Sequence, residues 1–296
     1  MTVGPPIPNS FPAASMPEPS SRLVWSLRDI EQRMGFRGSR FTRVNGLLSS
    51  LIAAAMTIAI YATLMVVEPN VYTDMLTERG FTPYVIVFFT IWSLVILMIK
   101  LSKLRLQRRA LELDLIPEET GFVLSVATVD RVMDRLFQVS DDPKSFVLLN
   151  RVHIALSNLR NLGRVTDVGE ILRSQADHDE STMETSYNAI RGLVWAIPIL
   201  GFIGTVSGLS AAIGGFGKVL SETDDPAQLI DALKGVTGGL ATAFETTLVA
   251  LVAALAVQML ITFVKKREEE FLDECAEHCQ RVIVNRLRLN QIETSD

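Results

Sequence analysis

Four long stretches of the chain lack charged side chains, and they alternate with densely charged segments. The uncharged runs cover 46–67, 81–99, 192–217 and 246–264. About 20 helical residues cross a hydrocarbon core of ~30 Å, so each run is close to or above the length of a membrane span. The pattern predicts an all-α polytopic membrane protein with four transmembrane helices, the last two extending into a helical cytoplasmic domain. The predicted spans are 45–68, 81–100, 191–217 and 239–264.

The N-terminal residues precede the first span and fall into two parts. Residues 1–20 are rich in proline and serine, which predicts a disordered tail. Residues 21–44 carry apolar side chains at helical spacing between arginines, which predicts an amphipathic helix lying at the membrane interface. A short helix packed on the cytoplasmic domain accounts for the same pattern. The apolar positions are Leu23, Leu27, Ile30 and Met34.

The segments after the second and fourth spans are predicted to be helical. Residues 101–190 show 3.6-residue periodicity without β-type alternation, which predicts a helical cytoplasmic domain. No proline or glycine interrupts the approach to the third span, so one helix is expected from about 180 to beyond Gly208. The C-terminal segment 265–296 is expected to continue the fourth helix. Residues 218–238 are predicted to form a periplasmic loop.

The distribution of lysine and arginine predicts the orientation in the membrane. Five arginines lie in 28–43, five basic residues lie in 100–109, and the fourth span ends in the basic run 265–267. The segment 68–80 has one arginine, and 218–234 has two lysines among acids. Because positive charge is enriched in cytoplasmic loops, both termini are expected in the cytoplasm of a bacterial inner membrane.

The overall composition agrees with a membrane protein and points to no enzyme. Of the 296 residues 48% are hydrophobic, the mean hydropathy is +0.29, and the net charge of -5 offers no basic face for nucleic acid. Cys275, His278 and Cys279 have helical spacing, but a zinc site usually needs a fourth ligand, so no metal is expected. The sequence contains no phosphate loop, nucleophile elbow or HExxH motif, so neither catalysis nor a cofactor is predicted.

Each of the last two spans has a narrow helical face of small residues with one central threonine, Thr205 in the third span and Thr247 in the fourth. Such faces commonly pack helices together in membranes. A threonine hydroxyl also donates and accepts hydrogen bonds, so the two threonines are candidates to line an ion pathway. The small residues on these faces are Gly201, Gly208 and Ala212 in the third span, and Gly239, Ala243, Ala250 and Ala254 in the fourth.

Glu245 is the only acid in the four predicted spans apart from Glu68, which ends the first of them. Ionisable groups within membranes are functional candidates, but Glu245 is also placed to lie at the outer interface. It is two residues from Thr247, about 200° around the helix, so the two side chains point in different directions. Both a pathway role and an interfacial role stay open for this acid. The uncharged runs of the first three spans, 46–67, 81–99 and 192–217, contain no Asp, Glu, Lys, Arg or His, so a proton crossing here needs a titrating group from another chain.

Two segments resemble the MotA/TolQ/ExbB proton-channel family. They are PILGFIGTVSGL at 198–209 and GGLATAFETTLVALVAAL at 238–255. The family has a Gly-Thr-Val-x-Gly motif in the penultimate helix and a Thr-Thr or Ala-Thr pair in an Ala-rich last helix. Relatives of the ExbB/TolQ type carry an acid where this chain has Thr242, whereas here the acid stands at Glu245. The four-span layout with an internal N-terminus is similar to the MotA type.

The resemblance implies a specific assembly and activity. Five such subunits surround a pair of single-span ExbD/TolR/MotB-like partners, whose membrane aspartate takes up and releases protons. By the motif match Thr205 and Thr247 line the contact with the partner, and Thr246 is the adjacent candidate. The chain is then an ion-conducting subunit of a rotary inner-membrane motor that converts ion-motive force into mechanical work. The alternative is a non-conducting membrane scaffold that recruits cytoplasmic partners.

Overall fold

A computed structural model of the chain describes residues 23, 25, 29–36, 40–68, 70–77, 80–113, 128–162, 167–222 and 225–286. The described residues are helical and contain no β-strand, which confirms the predicted all-α class. Four helices are long and apolar enough to cross a membrane, as the uncharged runs predicted. The predicted disordered tail 1–20 and the end of the C-terminal segment, 287–296, lie outside the described residues.

The first two spans form a hairpin of helices α2 (Gly46–Leu64) and α4 (Thr82–Arg108). Asn45 begins α2, because its side chain accepts a hydrogen bond from the Leu47 amide at 3.0 Å. The short helix α3 (Val71–Thr77) lies between the two spans. The hairpin is held by a buried apolar cluster and by the Trp92 indole, whose Nε1 donates to Ser49 Oγ at 3.0 Å. The cluster consists of Ala53, Ile91, Val95 and Ile99.

The third and fourth spans belong to much longer helices. Helix α7 (Asp167–Ser186) is followed after one turn residue, Tyr187, by helix α8 (Asn188–Glu222), with Pro198 inside it. The predicted continuous helix through Gly208 is therefore confirmed except for this turn. Helix α9 (Pro226–Val282) has 57 residues and is ~85 Å long at 1.5 Å per residue, so it projects far beyond a bilayer.

The predicted loop 218–238 is helical over most of its length, and its periplasmic location stays a prediction. Helix α8 continues to Glu222 and α9 begins at Pro226, so only 223–225 separates the two helices. Asp225 caps α9 by accepting a hydrogen bond from the Ala227 amide at 3.0 Å. Pro226 follows at the first helical position, where an N–H would have no partner within the helix, so its missing N–H costs no hydrogen bond. The glycines on both sides of this short connection lie within α8 and α9 and do not interrupt the helices.

A helical domain lies beyond the apolar parts of the long helices. It is built from α5 (Val129–Val139), α6 (Val147–Leu162), α7 and the C-terminal third of α9. Asp142 accepts a hydrogen bond from the Lys144 amide at 3.2 Å in the break between α5 and α6. The core of the domain is apolar and fully buried. Its members include Leu136, Phe146, Leu149, Ala155, Leu159, Val168, Phe271 and Cys275.

Where the structure describes the segment 21–44, it packs on the helical domain, which agrees with the second interpretation of its sequence and not with a helix at the membrane interface. Its only described multi-residue helix is the short α1 (Ile30–Arg33). Trp25 is 1% exposed and packs edge-on against Phe146 with ring centroids 5.1 Å apart, and the Leu23 amide donates to Val139 O at 2.9 Å. These side chains bury themselves in the helical domain, since protein and lipid satisfy the same apolar spacing. Leu27 lies outside the described residues.

Candidate functional site

The small-residue stripes of α8 and α9 pack directly against each other. A Cβ atom placed on Gly201 would lie 2.6 Å from Ala250 Cβ, and one on Gly239 would lie 2.6 Å from Ala212 Cβ. Gly208 contacts Ala243 in the same way, at 3.4 Å. The helix backbones thus approach as closely as small side chains permit, which is the packing role of such stripes. Ala254, further along the α9 stripe, is also buried.

This packing predicts that Gly201→Val destabilises the protein more than the same change at Gly214. The added side chain at position 201 meets Ala250 and the Thr247 backbone, whereas nothing lies within 4 Å of a Cβ on Gly214 of the same helix. Overpacking of this kind costs about 1–3 kcal/mol. Thermal unfolding of the purified variants measures the effect. Equal unfolding temperatures for the two variants would contradict the close contact.

Thr205 and Thr247 lie at the centre of these stripes with their hydroxyls in direct contact. The Thr247 hydroxyl donates to Gly201 O of the opposite helix at 2.9 Å, and the Thr205 hydroxyl is within 3.3 Å of Ala243 O. Each hydroxyl also reaches a carbonyl of its own helix, at 3.1 Å for Thr205 and 3.4 Å for Thr247. Both side chains are half-buried. The two residues predicted from sequence are therefore brought together in one polar cluster.

We name Thr205 and Thr247 the threonine cluster. Their two hydroxyl groups have more hydrogen-bond acceptors within reach than protons to donate. Each hydroxyl has one proton to donate but is within reach of two carbonyl oxygens and the other hydroxyl. The donors can consequently exchange between these oxygens without moving the helices. Each hydroxyl oxygen also keeps the capacity to accept a hydrogen bond from water or from a protonated carboxyl group. The cluster can therefore pass hydrogen bonds without introducing a charge of its own.

Thr246 and Glu245 occupy different surroundings from this cluster. Thr246 is 4% exposed and donates to Thr242 O of its own helix at 3.0 Å. Its methyl group faces Gly204, where a Cβ would lie 2.9 Å away and Thr82 of α4 is also close. Thr246 thus fills the junction of three helices, and its pathway role stays a prediction. Glu245 is half-buried on α9, and its role likewise stays a prediction.

A buried polar cluster that the sequence did not predict joins four parts of the chain. The Glu268 carboxylate of α9 accepts hydrogen bonds from Tyr187 OH at 2.7 Å, from Lys100 Nζ at 3.2 Å, and from the Thr42 hydroxyl. Lys100 also lies over the Tyr187 ring, 4.3 Å from its centroid. Glu268 is 2% exposed and Lys100 is 1% exposed. We name Thr42, Lys100, Tyr187 and Glu268 the junction cluster.

A second buried ion pair connects the N-terminal segment to the end of α4. Lys103 Nζ lies 2.7 Å from Glu31 Oε2 and donates to Arg43 O at 2.8 Å. Glu31 also accepts a hydrogen bond from the Asn45 amide at 2.7 Å, directly before α2. In the sequence Lys100 and Lys103 were evidence only for orientation. Their partners are far away along the chain, and spacing alone gives no signal for them.

Cys275 and Cys279 are free and buried on the domain side of α9. Burial raises the pKa of both thiols, that of Cys279 to about 11, so both stay protonated at neutral pH. Among the described residues no group of three or more His, Cys, Asp or Glu side chains is arranged to hold a metal ion.

These features define a polytopic helical membrane protein whose last two spans pack along small stripes around a polar cluster. The model of the MotA/TolQ/ExbB proton channel family matches residues 144–277, which confirms the resemblance seen in the sequence. The matched part of the chain contains the threonine cluster and Glu268, and it is similar to a family of proton-channel type. No curated protein and no solved structure matches the chain.

Proposed function

We propose that the chain is the ion-conducting subunit of a rotary motor in the bacterial inner membrane. The observation that carries this proposal is the contact of the Thr205 and Thr247 hydroxyls within the segment that matches the proton-channel family. Five subunits surround a pair of single-span ExbD/TolR/MotB-like partners. Ion flow, with protons as the expected ion, turns the ring around the partner pair and delivers mechanical work.

The partner supplies the titrating group in this proposal. The uncharged runs 46–67, 81–99 and 192–217 contain no Asp, Glu, Lys, Arg or His, so the chain offers no acid of its own there. An aspartate in the partner's span can instead dock beside the threonine cluster. In its protonated state it donates to a threonine oxygen, and in its ionised state it accepts from a threonine hydroxyl. The cluster thus serves both states without a fixed charge.

The exposed apolar surface of the long helices supports an assembly of several chains. Only 11% of the most apolar stretch of the third span is buried within the single chain, against 44% for the second span. Large side chains of α8 and α9 are left uncovered. They include Phe202, Val206, Ile213, Phe244, Leu248, Leu251 and Leu255. In the proposed pentamer these faces contact neighbouring subunits, the partner pair and lipid.

The orientation in the proposal follows the positive charge. Both termini and the helical domain lie in the cytoplasm, because the basic segments 28–43, 100–109 and 265–267 flank the same ends of the spans. The short segments around 68–80 and 223–225 then face the periplasm. The junction cluster lies at the cytoplasmic ends of the spans in this arrangement.

A non-conducting scaffold is the second candidate. It is favoured by the direct packing of the two stripes, because Gly201 against Ala250 and Gly239 against Ala212 are contacts that need no ion pathway. In that case the threonine hydroxyls only join the helices, and the helical domain recruits partners.

Ion flux decides between the two candidates. The chain is co-expressed with a single-span protein from the adjacent gene, and the subunit ratio is measured by native mass spectrometry. The complex is then reconstituted into vesicles with a pH-sensitive dye under an imposed potential. We expect a five-to-two complex whose flux is lost when the partner's membrane aspartate is replaced by asparagine. A stable complex without flux would support the scaffold and contradict the channel.

A further inference from the structure

A cavity of about 610 Å³ opens in the helical domain, far from the threonine cluster. It lies between α7 and the C-terminal part of α9. Cys279, which lines it, is 32 residues beyond Thr247, or ~48 Å along a continuous helix. The cavity is therefore separate from the proposed ion pathway. The residues that matter here are Arg151, Gly169, Glu170, Arg173, Cys279 and Gln280.

Arg151 of α6 is a buried charge with an unused hydrogen-bond donor on the cavity wall. Its side chain is 1% exposed, its Nε donates to Asp179 Oδ2 at 2.7 Å, and its Nη1 reaches Leu272 O at 3.4 Å. Asp179 Oδ1 is occupied by the Gln175 amide at 3.0 Å. Arg151 Nη2 has no hydrogen-bond partner among the described residues. A buried guanidinium nitrogen without an acceptor is unfavourable, so this atom is a candidate donor to a ligand that supplies one.

The first turn of α7 reaches the same cavity. Gly169 lies in this turn and lines the cavity, and nothing stands within 4 Å of where its Cβ would be. The amides of a first helical turn have no acceptor within the helix, and the helix dipole places partial positive charge there. A helix start and a buried arginine fork thus meet at one cavity, and both favour an anion with several acceptor oxygens.

The other lining groups permit an anion. Arg173 is exposed at the rim and adds a positive charge, while Glu170, also exposed, brings a negative charge that water screens. The Cys279 thiol is protonated because burial raises its pKa, so it does not repel an anion. Asp179 is neutralised by Arg151. The space is much larger than a bare ion, so an organic group can accompany it.

We propose that this cavity binds the phosphate group of a small phosphorylated anion. Arg151 Nη2 and the first-turn amides of α7 donate to the phosphate oxygens, and Arg173 contributes charge at the rim. The phosphate is chosen over a carboxylate because its oxygens point in several directions and can meet donors from two elements at once. The site is independent of the ion pathway, so its failure would leave the proposed channel function untouched.

Binding is tested by thermal unfolding of the purified full-length protein with inorganic phosphate, AMP or acetate at constant ionic strength. A ligand that binds the folded state raises the unfolding temperature in a saturable way. We expect saturable stabilisation by phosphate and by AMP, and none by acetate. The absence of saturable stabilisation by phosphate and AMP would overturn the proposal, and an equal response to acetate would overturn the assignment to phosphate.

Two variants and one matched control locate the site. Arg151→Lys keeps a charge beside Asp179 but lacks the forked nitrogens, and we expect it to weaken phosphate affinity about tenfold. Arg173→Gln at the exposed rim is expected to weaken it about threefold. Arg160→Gln makes the same change on α6 outside the cavity and is expected to leave affinity unchanged. Should Arg151→Lys fail to fold, Arg173→Gln decides. Wild-type affinity in the folded cavity variants would overturn the proposal.

Discussion

Replacing Thr247 by valine is expected to abolish ion flux and ion-driven work while the assembly stays intact. Valine keeps the shape of threonine but removes the hydroxyl that donates to Gly201 O at 2.9 Å and contacts the Thr205 hydroxyl. The proposed partner carboxyl group then loses one of the two oxygens to which it can bond. The small stripes still pack, so the loss of one hydrogen bond lowers stability by only about 1 kcal/mol. Flux in vesicles and native mass spectrometry measure the two effects separately.

Three variants control this experiment. Thr247→Ser retains a hydroxyl and is expected to retain flux. Thr205→Val removes the other half of the cluster and is expected to resemble Thr247→Val. Thr262→Val makes the same chemical change on α9 at an exposed position, where the hydroxyl donates only to Gln258 O of its own helix, so flux should persist. Normal flux in both Thr247→Val and Thr205→Val would refute the role of the cluster.

The sequence predicted the threonine pair because two independent patterns converge on it. The helical period places Thr205 and Thr247 at the centres of the small stripes, and the motif match assigns both to the pathway. Periodicity identifies a face of a helix but does not identify its partner. The contact between the two stripes within one chain, with Gly201 against Ala250, therefore required the structure.

The helices were predicted correctly where the length and charge of a segment determine its structure. They were predicted incorrectly where the residues that a segment packs against determine it. Uncharged runs of about 20 residues are recognised from length and composition alone, and all four coincide with helices long and apolar enough to cross a membrane. Leu23 follows a period that lipid and a protein core satisfy equally, and the structure places it in the core together with its neighbour Trp25, which lies outside that period. The region 218–238 was predicted to be a loop because it joins two uncharged spans and carries charged residues, yet the capped start at Asp225 and packing against α8 keep most of it helical.

The junction cluster marks the limit of prediction from sequence. Lys100 and Glu268 are 168 residues apart, and Tyr187 is 81 residues from Glu268. Each looks like an ordinary residue near the end of a span. These residues pair only because three helices and the segment before α2 come together at the same level of the structure. No local sequence pattern predicts that arrangement. Buried charges are tolerated only when they are paired and hydrogen-bonded, so this meeting point is expected to be sensitive to substitution.

Glu268→Ala is accordingly expected to produce the largest loss of stability of any variant considered. It leaves the Lys100 ammonium group, 1% exposed, without its carboxylate, and it removes the acceptor of Tyr187 OH. Breaking a buried ion pair by removing one partner costs about 3–5 kcal/mol. Thermal unfolding measures the loss. The matched control is Glu270→Ala on the same helix, where the side chain is 51% exposed and 3.9 Å from Lys266, and its effect should be small.

A double variant separates the burial of a lone charge from the loss of the cluster itself. Lys100→Met combined with Glu268→Leu leaves no charge buried in this place, and replacing both members of a buried ion pair by apolar residues is often neutral or stabilising. We therefore expect the double variant to regain most of the unfolding temperature lost in Glu268→Ala. If the cluster only holds the helices together, ion flux returns together with stability. If flux stays low in a stable double variant, the junction cluster also transmits movement between the spans and the helical domain. If Glu268→Ala unfolds at the same temperature as Glu270→Ala, the result contradicts a stabilising buried ion pair between Lys100 and Glu268.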